Sequence, residues 1–263
     1  MPHPTCRAEL YEELAQGKLA LRAAFRRLPG QPVETGARII SPNAASAAVY
    51  LLGGGWAYRA REWPDGRRAI TDIYLPGDVI GLETALISRP EDTVTALTPL
   101  TLQAIDARAA MPRLLGQRTV ALFVNWLLCE QQRRVDRLAA AIARFDAEGR
   151  LAMMLLDLYE RLRRRELITA LSFTMPLTQQ QIGDHLGLTL VHVNRVLRSL
   201  RERRIVNVDR HVVLIRDLAR LQGLAGLEKA PAAPRTGATP AAGLSAETAS
   251  LAAALVGPAL TRE

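Results

Sequence analysis

The sequence predicts an α+β chain in which a small antiparallel β-structure, one long helix and a helix-turn-helix with a β-wing follow one another. Three observations predict this. Short apolar runs cut by glycine and proline turns fill residues 36–106. An apolar repeat in steps of four and three runs from Val124 to Phe145. Two capped helices meet at a glycine between Thr178 and Leu197.

The elements follow in order. Residues 7–28 read as a helical lead-in, with Leu10, Leu14, Leu19, Leu21 and Phe25 as its apolar positions. A first strand over 47–52 is stopped by Gly53-Gly54-Gly55, and a second covers 56–61 before the turn Pro64-Asp65-Gly66. Residues 68–75 alternate, with Ile70, Ile73 and Leu75 apolar, and Pro76-Gly77-Asp78 breaks them. Segments 92–96 and 101–105 close the set, and strands at this spacing suit a small antiparallel barrel or sandwich.

The longest helix pattern covers 117–146. Its repeat places Val124, Leu128, Gln131, Val135, Leu138, Ile142 and Phe145 on one seam, with Gln131 its single polar member. An amphipathic helix within one core produces the same period. The dense charges of Arg133, Arg134, Asp136 and Arg137 beside the seam favour a two-helix dimer interface, leaving Phe123, Leu127 and Ala141 to face the chain's own β-structure. Asp146 caps a further helix to about residue 165. After about Gly226 the composition falls to Ala, Pro, Gly, Ser and Thr, which predicts a disordered tail.

Thr178 and Gln181 form a capping box, so a helix starts there, with Ile182 and Leu186 on its buried face. Gly183 lets a second helix cross close by, Gly187 supplies the left-handed turn, and Thr189 caps the second helix. Val193, Val196, Leu197 and Leu200 point to the core, leaving Leu190, Val191, His192, Asn194, Arg195, Arg198 and Ser199 on the other faces. Such a second helix offers its N-terminal half to base edges in the major groove. Asn pairs with adenine and Arg with the two acceptors of guanine, so Asn194 and Arg195 are the leading base readers, with Val191 and His192 beside them. His192 fits a base, a phosphate or plain solvent. Thr178, Gln180, Thr189, Arg198 and Arg201 are the candidates for phosphates, the helix starts through their backbone N–H groups. Residues 205–208 and 211–214 flank Asp209-Arg210 as a hairpin, which makes the motif winged.

Bulk composition agrees. The net charge of +8 and pI of about 10.3 suit a polyanion, either nucleic acid or an anionic membrane, and also fit a merely Arg-rich chain. Residues 177–220 hold eight Arg against four acids, which concentrates that charge on the motif. With 49% hydrophobic residues the chain can bury a core. Cys6 and Cys129 are too few for a structural zinc or four-thiolate iron–sulfur site, and they suggest a reducing compartment, with a single disulfide as the alternative. No apolar stretch reaches the length that spans a bilayer, and the first residues carry no signal-peptide core, so a cytoplasmic location is expected. No nucleophile–base pair, phosphate loop or metal cluster supports an enzyme, and no cofactor is implied.

Residues 20–222 resemble the Crp/Fnr family. The resemblance rests on Gly53–Trp56, Pro76-Gly77-Asp78-Val79-Ile80-Gly81, the long helix, the run from Phe145 to Ala152, and Leu186-Gly187-Leu188-Thr189 leading to Asn194-Arg195. It implies a cyclic-nucleotide-binding-like β-roll over 29–116, a dimerisation helix over 117–146 and a Crp-type winged helix-turn-helix over 147–222, after a lead-in of 1–28 and before a tail of 223–263. It further implies a homodimer on a pseudo-palindromic double-stranded operator, contact with RNA polymerase, and Arg195 as the reader of guanine. The implied effector pocket falls on Gly81, Leu82, Glu83, Arg89 and Thr93. Cyclic-nucleotide binders of the family place Glu directly after the turn glycine, where this chain has Leu82. Glu91 and Asp92 stand where a cyclic phosphate is held, so cyclic AMP is not expected to bind tightly and the effector is left unidentified. A competing reading is an effector-sensing module that acts through protein contacts, with DNA binding secondary.

Overall fold

A computed structural model describes residues 4–44, 48–83 and 89–227. They divide into two compact units, the first ending at Asp136 and the second beginning at Arg137.

The first unit opens with α1, Pro4–Arg26. Leu14, Leu21 and Phe25 form its buried stripe, whereas Leu10 and Leu19, expected to join them, are 44% and 63% exposed. Leu19 lies about 140° around the helix from Leu14, so one stripe cannot hold both. Gln103 donates to the carbonyls of Phe25 and Leu28, which satisfies the end of α1. Gly17 rests on the start of the long helix so closely that a Cβ there would lie 2.0 Å from the Thr119 carbonyl oxygen.

Eight strands follow: β1 Gln31–Val33, β2 Arg38–Ile40, β3 Ala48–Gly54, β4 Ala57–Glu62, β5 Arg68–Tyr74, β6 Val79–Ile80, β7 Thr93–Ala96 and β8 Leu100–Asp106. They form two antiparallel four-stranded sheets, ordered β1-β8-β3-β6 and β2-β7-β4-β5. Ile40, Leu52, Ala57, Tyr74, Ile80, Val94, Ala96, Leu100 and Leu102 come from both sheets and form one core cluster. Each large aliphatic or aromatic member contributes roughly 1.5–3 kcal/mol by leaving water. Asp106 caps α2, Ala107–Leu115, by accepting from the Ala109 N–H.

The long helix α3 spans Arg118–Arg144. Its predicted intermolecular seam is corrected at two places. Val124 is only 2% exposed in the isolated chain, so its own unit covers it and no partner is needed there. Gln131 faces the β-structure: with its amide turned to present oxygen, that atom lies 2.6 Å from Nη1 of Arg59. Leu128, Val135, Leu138 and Phe145 are half-buried and Ile142 is 40% exposed. Phe123 and Ala141 are buried.

The second unit contains α4 Ala147–Arg164, β9 Ser172–Thr174, α5 Gln179–Leu186, α6 Leu190–Glu202, β10 Val206–Asp209, β11 Val212–Ile215 and α7 Leu218–Leu224. The wing is a three-stranded antiparallel sheet ordered β10-β11-β9, one strand more than the predicted hairpin. Its turn is Arg210-His211, because Asp209 pairs with Val212, which moves the predicted turn on by one residue. The domain also runs beyond residue 222: α7 reaches Leu224 and Ala225 is buried. The rest of the predicted tail, 228–263, lies outside the described residues. No helix among the described residues is long and apolar enough to cross a membrane.

Candidate nucleic-acid interface

Local chemistry builds the two-helix motif. Thr178 accepts from the Gln181 N–H, and Gln181 Oε1 accepts from the Thr178 N–H at 2.8 Å, closing the capping box. Gly187 takes φ 66° and ψ 38°, and its N–H donates to Gly183, which ends α5 in the left-handed cap. Thr189 then caps α6 by accepting from the His192 N–H. Ile182, Gly183, Leu186, Val193, Val196 and Leu200 are buried between the helices and their neighbours. Leu197, expected among them, is half-buried and lines the outer hollow.

A Cβ at Gly183 would sit 2.5 Å from the Leu188 carbonyl oxygen. Backbone cannot retreat like a flexible side chain, so Gly183→Ala is expected to destabilise the second unit by about 1–3 kcal/mol. Thermal unfolding checks this, and an unchanged midpoint would show that the close approach is dispensable.

The stretch from Phe145 to Ala152 orients α6 from behind. Glu148 accepts from Ser199 Oγ and from Arg203 Nη1, both at 2.6 Å. Arg150 donates to the carbonyls of Phe145 and Leu186. Gly149 leaves room for Phe145, whose Cδ1 would lie 2.7 Å from an added Cβ. Ser199 and Arg203 are thus committed to the fold.

On the opposite face the predicted readers come together. Val191, Asn194, Arg195, Arg198 and Arg201 of α6 line one open hollow of about 690 Å³, with Thr178 and Gln179 of α5. Arg195, Arg198 and Arg201 are exposed and make no ion pair with another described residue. The wing turn adds Arg210 and His211 to the same hollow. The sequence reading missed these two as ligand-facing residues, although a basic pair at a hairpin tip was the available signal.

Some predicted roles change. The Thr178 N–H is consumed by its own capping box, which leaves the N–H groups of Gln179 and Gln180 as first-turn donors. Gln180 turns its amide to Asp184 at 2.9 Å. Asn194 donates to the Leu190 carbonyl one turn back, so reading a base requires a side-chain rotation. His192 Nδ1 lies 3.1 Å from Thr189 Oγ1 and outside the hollow's lining. Leu190 and Val191 are 44% and 66% exposed, an apolar start to α6 suited to thymine methyl groups.

The predicted effector pocket is filled with protein charge. Leu82 is buried, and Thr93 Oγ1 is spent on the Ala60 carbonyl. Gly81 holds φ 87°, and Arg89 is exposed. Glu83 reaches Arg59 Nη1 at 3.4 Å. Arg59 was not expected. Its Nε donates to Thr71 Oγ1 at 3.1 Å and lies 3.6 Å from Asp92. Glu91 and Asp92, expected to repel a phosphate as free acids, are instead both bonded to Arg61. Beside them Arg134 grips Asp72 through two bonds of 3.0 and 2.7 Å. The Tyr74 hydroxyl is buried without a hydrogen-bond partner among the described residues, and burial above all raises its pKa well over the ordinary phenol value.

Known proteins share parts of this architecture. Residues 149–224 match the model of the Crp-like helix-turn-helix domain. The chain is 29% identical over 171 residues to the nitrogen fixation regulation protein FixK of Rhizobium meliloti, covering 65% of this chain and 74% of that one. It is 26% identical over 201 residues to the transcriptional regulatory protein btr of Bordetella pertussis, covering 74% and 81%. The structure of FixK2 from Bradyrhizobium japonicum superposes with a TM-score of 0.68 at 25% identity, over 78% of this chain and 99% of that one. Residues 149–224 thus match a Crp-like helix-turn-helix domain, and the chain is similar over most of its length to transcription regulators.

Proposed function

We propose that the protein works in the cytoplasm as a homodimer that binds a pseudo-palindromic double-stranded operator through α6, and that it contacts RNA polymerase there. The carrying observation is the row of Arg195, Arg198 and Arg201, without an ion pair among the described residues on one exposed helix face beside the basic wing turn. Arginine is the commonest partner of guanine edges, and unpaired arginines lose no internal ion pair when DNA takes them. In this reading Asn194 and Arg195 read bases with Val191 beside them, Arg198 and Arg201 hold phosphates, and the first-turn N–H groups of α5 and α6 fix the register. The dimer uses the lower part of the seam, where Leu128, Val135, Leu138 and Ile142 retain apolar exposure.

Selecting duplexes from a random pool tests this. The expected result is an inverted repeat with half-site centres about 10 base pairs apart, bound as two chains per duplex. Enrichment of a single half-site, bound as one chain, would overturn the dimer reading. No enrichment over random duplex would overturn sequence-specific binding.

A further inference from the structure

We propose that the polar interior of the β-structure beneath α3 is a guanidinium site, occupied in cis by Arg59, and not a receptor for an anionic nucleotide. Arg59 projects from β4, and its side chain is 13% exposed. Acceptors meet it from four directions: Thr71 on β5, Glu83, Asp92 and Gln131 on α3. A guanidinium carries five N–H donors in a rigid plane and no acceptor, and this set of acceptors matches it. Burial works against its charge, yet Tyr74, Asp72, Glu83 and Asp92 outweigh that cost and hold its pKa above the ordinary value.

The charge balance points the same way. Asp72, Glu83 and Asp92 are three carboxylates, answered inside by Arg59 and Arg134 and at the rim by Arg61. An entering phosphate would meet those three carboxylates at close range and would have to break Arg59 away from them. A planar cation would meet the acceptors that Arg59 already uses. Arg59 also ties β4 to Gln131, three residues before Arg134 ties α3 to β5, so the site's occupant is a tether on the long helix.

Chemical rescue tests the proposal in the full chain, with stability and ligand binding as readouts, so the outcome is independent of whether the chain binds DNA. Arg59→Ala is expected to lower the unfolding midpoint, and millimolar methylguanidinium to raise it saturably by several degrees. Tetramethylammonium at the same ionic strength should not restore it. Wild type and Arg59→Met, whose sites are filled, should show no such rise. Absence of rescue in a folded Arg59→Ala, or equal rescue of Arg59→Met, would overturn the proposal. If Arg59→Ala does not fold, wild type decides: cyclic AMP titrated into it calorimetrically should give no saturable heat. Saturable binding would overturn the proposal.

Discussion

Arg134→Met is expected to lower the unfolding free energy of the first unit by about 3–5 kcal/mol, the cost of breaking a buried ion pair from one side. The Asp72 side chain is 3% exposed and that of Arg134 18%, so water cannot take over the two lost bonds. Asp72 keeps the Ile73 N–H among its partners, but a neutral bond does not replace a bidentate guanidinium. The paired variant Asp72→Asn with Arg134→Met should recover much of the loss, because it removes the stranded charge along with its partner. Urea unfolding of wild type, both single variants and the pair measures the coupling. Equal losses in Arg134→Met and in the pair would show that the charge of Asp72 is not what Arg134 answers.

Arg195→Ala is expected to weaken binding to the selected operator by about 1–3 kcal/mol, roughly 5- to 150-fold, and to relax the preference at one base position in each half-site. Arg195 is exposed and makes no ion pair with another described residue, so its loss should leave the unfolding midpoint unchanged. Arg201→Ala, further along α6 in the same hollow, should weaken all duplexes alike and reduce the slope of log affinity against log salt by about one. Binding titrations at several salt concentrations separate the two patterns. If Arg195→Ala weakened random duplex as much as operator, Arg195 would be holding phosphate and the readout would rest on Asn194 and Val191.

The helix-turn-helix was legible because its signals are local. Thr178, Gln181, Gly187 and Thr189 each act within a few residues of themselves, so the chain order carries the geometry. The strands of the β-structure were legible where they span four residues or more. Those of β1, β2, β6 and β9 are two or three residues long and too short to show a period. Periodicity also could not say what covers a helix face: Val124 and Leu128 belong to one repeat, yet the chain's own fold buries the first and only half covers the second. Arg59 was missed because its partners lie 12 to 72 residues away. A signal was present in its alternation with the core residue Ala57, which turns Arg59 inward.

The wing turn shows what this surface costs the fold. A two-residue hairpin turn with both φ values positive favours Asn-Gly, yet Arg210 and His211 hold φ 44° and 66° there. A side chain in that conformation carries a strain of order 1 kcal/mol or more per residue. Selection for stability alone would remove both residues. Their place at the mouth of the basic hollow makes the tip a point where folding free energy is given up to hold Arg210 and His211 rigidly in position. Stabilising consensus substitutions aimed at this hairpin would therefore trade thermal tolerance against grip on DNA.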